Sequence, residues 1–216
     1  MLTVLPEPDG TGADELSSVE RIRNAALKTF ATHGTSATSL RTVAAAAGVS
    51  IGLVQHHFAT KAGLIKAVDD HALAVVIALW SEPIPGPPVD SVAEVGKRVT
   101  RIISEQPDVI DYVGHALIDG SPLGNRIFDT LAAFGMARWN QRRERGETRP
   151  DIDLTWASLN ALVLALGALI LRGHIERQLP ESFTSPTQLE RWQEAVNTLL
   201  RDGLFRHSGD DSELES

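Results

Sequence analysis

The strongest constraint on this chain is a spacing of small and turn-forming residues between positions 39 and 58, "SLRTVAAAAGVSIGLVQHHF". Ala44 lies four residues before Gly48, and Val54 lies six after it. Two helices that cross steeply need a small side chain where their backbones approach, and Ala44 supplies it. The connection between them needs a residue at ease in the left-handed conformation, and Gly48 supplies that. Val43, Ala47, Val49 and Val54 are left to form the shared core. Thr38 or Ser39 can cap the first helix and Ser50 the second. The pattern predicts a helix-turn-helix, whose second helix offers its N-terminal residues to the major groove of DNA.

The rest of the chain repeats the helical period and shows no convincing strand alternation. A first helix is expected from about Ser18 to about Thr32, with Val19, Ile22, Ala26 and Phe30 on one stripe and Gly34 as its stop. The second ends at Gly48, the third runs from Ser50 to near His57, and a fourth spans Lys61 to Trp80. The proline-rich "EPIPGPP" (82–88) ends the fourth. Further helices are expected over 89–104, 107–119, 122–145, 152–178 and 186–205, with Asp90 or Ser91, Ser121 and Ser185 as start signals. The fold class is all-α, a three-helix head (17–66) followed by a larger helical body (67–207). Flexible acidic segments are expected at 1–16 and 208–216.

A net charge of −8 argues at first against a nucleic-acid partner, but its distribution reverses the inference. Residues 17–66 carry Arg21, Arg23, Lys28, Arg41, Lys61 and Lys66 against Glu20 alone, a local charge of +5 on an otherwise acidic chain. Such a segment is an electrostatic footprint for polyanions. The absence of cysteine removes disulfides, thiolate zinc sites and a cysteine nucleophile, and fits a reducing cytoplasm. The first residues lack the basic and apolar regions of a signal peptide, and "ALVLALGALIL" (161–171) is too short to span a bilayer, so no membrane partner is expected.

In the head the chain resembles the TetR (tetracycline repressor) family of bacterial transcription regulators, in an actinobacterial variant. The matching residues are the first helix ending in Gly34, Thr38-Ser39, Arg41, Val43-Ala44, Ala47-Gly48-Val49-Ser50, Gly52, His57-Phe58, Lys61 and Leu64. The resemblance covers about residues 17–66 and departs at Thr35 and Gln55, where the family usually has aromatics. It implies a DNA-contacting set of Thr38, Ser39, Arg41, Ser50, Ile51, Gly52, Leu53, Gln55, His57 and Lys61. Gln55 can hydrogen-bond a phosphate or read adenine. Gly52 lowers helix propensity but permits close backbone approach. His56 is expected to pack towards the head. Adjacent helical histidines point about 100° apart and are poorly placed to share one ion, so no metal or other cofactor is expected.

The resemblance further implies a homodimer formed through 152–178 and 186–205, a double-stranded palindromic operator, and a small-molecule effector that releases it. The stretch 156–173 is apolar on nearly every face, and Ala157, Ala161, Ala165 and Ala168 would allow close helix approach to a dimer partner or within one chain. Leu189, Trp192, Val196, Leu199 and Leu200 form the matching stripe. Tyr112, His115, Phe128, Phe134, Trp156 and Asn160 are candidate effector contacts, with ordinary core packing as the alternative. Asp108, Asp111, His115 and Asp119 form either a solvated face or a site for a cation or polar effector. The basic run 138–149 is expected as a surface loop. No di-metal, phosphate-loop or nucleophile-elbow motif is present, so an enzyme is not expected. The alternative function is a helical ligand-binding or protein-interaction module whose head no longer binds DNA.

Overall fold

The computed structural model describes residues 17–81, 83 and 91–204. The acidic segments expected at 1–16 and 208–216, the start signal Asp90 and most of the proline-rich break lie outside the described residues. Every regular element among the described residues is helical. The head comprises α1 (Ser18–His33), α2 (Leu40–Ala47) and α3 (Ile51–Phe58). The body comprises α4 (Lys61–Ser81), α5 (Ser91–Glu105), α6 (Pro107–Ile118), α7 (Pro122–Glu144), α8 (Leu154–Ile170), the short α9 (Arg172–Ile175) and α10 (Pro186–Leu204).

Local chemistry explains the boundaries. Ser17 caps α1 reciprocally with Glu20, the hydroxyl accepting the Glu20 N–H while the Glu20 carboxylate accepts the Ser17 N–H. Those hydrogen bonds hold the exposed Glu20 carboxyl below its ordinary range. α6 and α7 each begin with proline, which is preset for a first helical turn. Gly48 sits at φ 65°, and Val49 N–H returns to the Ala44 carbonyl, closing α2 with a left-handed cap.

Ile22, Ala26 and Phe30 of α1 meet Val43 and Ala44 of α2, Val54 of α3, and Leu64 and Val68 of α4 in a buried core. Val19, expected on the same stripe, is 40% exposed. This core continues without a break into Val76, Val109, Val113 and Ile127 of the body. Phe30 stacks on Tyr112 at 6.3 Å, and α1 lies along α6. The expected division at residue 66 therefore falls inside an unbroken α4.

The apolar run expected as one helix over 152–178 is two helices. α8 ends at Ile170, and the segment after it departs at 68°. Arg172 pairs with Asp111 of α6 at 2.8 Å, and Ile175 and Leu179 pack beside Phe183 in a second core with Ile103 and Leu189. Burying these side chains compensates for the break. α8 packs chiefly on α7, whereas α10 packs on α5. No single helix among the described residues is long and apolar enough to cross a membrane.

Candidate nucleic-acid interface and body cavity

Two caps set the head's outward face. Ser39 accepts the Thr42 N–H at 3.1 Å, and Ser50 accepts the Leu53 N–H at 3.2 Å, so both hydroxyls sit at helix N-termini facing out. Such termini favour phosphate by their dipole. Ser50, Ile51, Gly52 and Gln55 are exposed, and Leu53 is half-buried. Arg41 is exposed and makes no hydrogen bond or ion pair among the described residues, leaving its guanidinium available. His57 is exposed and shares a 2.9 Å hydrogen bond between its Nε2 and Ser18 Oγ, which ties α3 to the first turn of α1. His56 is exposed too, and its expected packing towards the head is replaced by an edge contact with the His57 ring.

Two expected contacts have structural duties. Thr38 is 2% exposed, and its hydroxyl donates to the Gly34 carbonyl at 2.9 Å, fixing the α1–α2 loop. Lys61 is half-buried, and its ammonium donates to the Ser36 carbonyl at 3.2 Å, bracing that loop from α4. Behind them, Gly63 lets α4 pass the end of α3. A Cβ there would stand 2.3 Å from the Phe58 carbonyl oxygen.

The body holds a partly open cavity of about 190 Å³ between α4, α5, α6, α7, α8 and α10. Its wall is overwhelmingly apolar, with Val76, Val99, Ile127, Leu131, Phe134 and Leu166 among its lining. Arg98 of α5, just behind the lining, donates to Glu94 at 3.2 Å and to the Leu79 and Pro83 carbonyls at 3.2 and 3.1 Å. Arg142 of α7 lies over the Trp139 ring, 5.0 Å from its centroid, and donates to Ser91 Oγ. Arg138, one turn earlier, also lines the cavity. Ser158 and Asn197 are buried in the wall, and Gly135 and Gly96 give them room.

Residues 22–68 match the family described as "Bacterial regulatory proteins, tetR family". This match places the head, residues 22–68, in the TetR family. The head is 52% identical over 56 residues to the transcriptional regulatory protein RaaS of Mycobacterium tuberculosis, a match spanning 26% of each chain. A longer match, 27% identical over 154 residues, covers 69% of this chain and 78% of the transcriptional regulator UidR of Escherichia coli K12. The fold is shared with the ketosteroid transcriptional regulator KstR2 of Mycobacterium tuberculosis, at a TM-score of 0.69 and 17% identity over 91% of this chain and 99% of that one.

Of the six candidate effector contacts in the body, the cavity takes only Phe134. Tyr112 is core, its hydroxyl donating to Asp69 Oδ1 at 2.7 Å across α6 and α4. Burial raises both ionisations, and the hydrogen bond only partly offsets this at Asp69. Phe128 is half-buried away from the cavity lining, His115 and Asn160 are exposed, and Trp156 is 60% exposed on the outer face of α8. Asp111 of the acidic stripe is engaged by Arg172. No cluster of three metal-ligating side chains occurs among the described residues. The run expected as a basic surface loop is, to Glu144, the last third of α7, and Arg142 points inward. The basic run alone does not reveal this wall, because Arg138 and Arg142 stand among exposed charged neighbours. The signal was their i,i+4 spacing around Trp139, which puts both on one helix face. At the family's usual aromatic positions, Gln55 is exposed and Thr35 half-buried.

Proposed function

We propose that this chain is a dimeric transcriptional repressor, acting in the cytoplasm, that grips a palindromic operator with two α3 helices and releases it when a small molecule occupies the body cavity. One observation carries the reading: α4 belongs to both sites. Leu64 and Val68 lie in the core beneath α2 and α3, and Val76, Leu79 and Trp80 form cavity wall on the same helix. A helix of 21 residues is about 30 Å long, so a small tilt at the cavity end displaces the head end. The effector acts by favouring a dimer geometry whose heads no longer match the half-site spacing.

The DNA-contacting set is Ser39, Arg41, Ser50, Ile51, Gly52, Gln55 and His57, with Leu53 on the half-buried edge. Lys61 serves as a brace with donors to spare. The head begins at about residue 17 and hands over to the body along α4. The dimer face comprises α8 and α10. Intact caps and an unpaired Arg41 favour a working head over a vestigial one.

Selection of bound duplexes from a random pool, followed by salt titration of the winner, tests the reading. A palindromic consensus whose affinity falls steeply with salt is expected. Arg41→Ala should reduce the salt slope by about one counterion. No enrichment at low salt would overturn DNA recognition by this head. An unchanged slope would remove Arg41 from the phosphate contacts.

A further inference from the structure

Arg138 stands out among the cavity-lining groups. Its neighbour Arg142 donates to Ser91 and lies over Trp139, and Arg98 is held by Glu94 and two carbonyls. Arg138 makes no hydrogen bond or ion pair among the described residues, yet it is half-buried against an apolar wall. Burial, and then the positive charges of Arg142 and Arg98, push its guanidinium down to about 10, which leaves it cationic at neutral pH. No carboxylate lines the cavity among the described residues.

A second donor waits there. Trp80 lines the cavity on the turn of α4 whose Leu79 carbonyl receives Arg98, and its indole Nε1 is buried without a hydrogen-bond acceptor. An orphaned buried donor and a desolvated guanidinium both call for an acceptor that brings negative charge. The planar fork of arginine fits a carboxylate bidentately. From that region the lining runs to Val113 and Ile127, which also belong to the core shared with the head and can receive only an apolar body.

Size narrows the class further. A dry cavity of about 150 Å³ takes up benzene. At the same filling, 190 Å³ holds about eight non-hydrogen atoms, and slight yielding of the wall admits about ten. We propose that the cavity binds an amphipathic monocarboxylate of about ten non-hydrogen atoms, its carboxylate received by Arg138 and Trp80 Nε1 and its apolar body directed towards Val113 and Ile127. The proposal rests on the effector reading above and gives it a chemical class. Cations are disfavoured by the same wall, which carries arginines and no carboxylate among the described residues.

The test uses the full-length dimer with three probes of one shape: octanoate, octanamide and octylamine. Trp80, Trp139 and Trp192 line the cavity, so intrinsic tryptophan fluorescence reports occupancy directly, with calorimetry as the independent measure. Octanoate is expected to bind saturably, octanamide at least about tenfold more weakly, and octylamine not at all. Arg138→Gln should weaken octanoate by at least about tenfold and leave octanamide unchanged, which a general loss of folding would not do. Arg138→Lys should restore part of the octanoate affinity. Equal binding of acid and amide, indifference to Arg138→Gln, or no saturable signal with any probe would overturn the proposal. Anisotropy of the selected duplex separates the two readings. Arg138-dependent octanoate binding with no effect on DNA affinity would uphold the carboxylate site and refute the effector role. Release of DNA by octanamide as effectively as by octanoate would do the reverse.

Discussion

His71 illustrates how single side chains tie the head to the body. It lies on α4 and is partly buried, and desolvation, followed by the positive charge of Arg23 on α1, lowers its pKa below the ordinary 6.5. The neutral imidazole is thus the form that the folded chain tolerates. Because the folded value is the lower one, the unfolded chain takes up the proton first as pH falls. Stability is therefore full above about pH 6.5 and declines as pH falls through the depressed folded value. His71→Gln should flatten that acid limb in denaturant titrations between pH 7 and pH 5 while leaving stability at pH 8 nearly unchanged. An identical limb in the variant would place the acid sensitivity elsewhere. Asp69 has the opposite sign: burial raises its pKa, so its ionisation opposes folding as pH rises, and Tyr112 limits the cost by donating to it.

At the scale of elements, two glycines in the head separate structure from recognition. Gly63 is a packing requirement, since an added Cβ would meet the Phe58 carbonyl oxygen at 2.3 Å. Gly52 is not, because its nearest contact would be Ser50 Oγ at 3.8 Å. Gly63→Ala should cost about 1–3 kcal/mol and lower the Tm by about 2–4 °C for each of these. Gly52→Ala should gain up to about 1 kcal/mol in helix propensity. If Gly52 is glycine so that the backbone can approach DNA, the stabilised variant should bind its duplex more weakly. Undiminished binding would show that the groove has room for a methyl group there. These contrasts mark what was legible beforehand. The α2–α3 turn was readable because Ala44, Gly48 and Val54 obey local steric rules. The break after Ile170 was not, because the run around it is uniformly apolar and its bend is fixed by remote partners, Asp111 and Phe183. The cavity was hidden for the same reason. Phe134 was legible as an aromatic at helical spacing, whereas Trp156 has the same signature and faces outward. Burial of Arg138 and Arg142 is decided by helices distant in sequence.

For the whole molecule, the unresolved balance is apolar surface. Trp156 and Val163 are 60% and 57% exposed, and Ile170 lies a further seven residues along α8. Seven residues are nearly two helical turns, so the three form one line along the helix. Leu199 on α10 is 60% exposed as well. A row of this kind on one protomer is costly in water and fits a self-complementary two-fold interface. It also explains why Trp156 and Asn160 contribute nothing to the cavity: the inner side of α8, through Ala161, Ala165 and Leu166, lines it, and the outer side is left for a second copy. Val163→Asp places a charge in the middle of the row without touching the cavity wall. Sedimentation should then report a monomer. Affinity for a palindromic duplex should fall by about a hundredfold or more, because the second head no longer binds at high effective concentration. Circular dichroism should retain its helical signal, and octanoate should still alter tryptophan fluorescence, since Arg138 and Trp80 line the cavity of the same protomer. A variant that stays dimeric would move the interface off α8. A monomer that keeps full affinity for the palindrome would mean that the two half-sites are read independently, and release by altered head spacing would then have no mechanical basis.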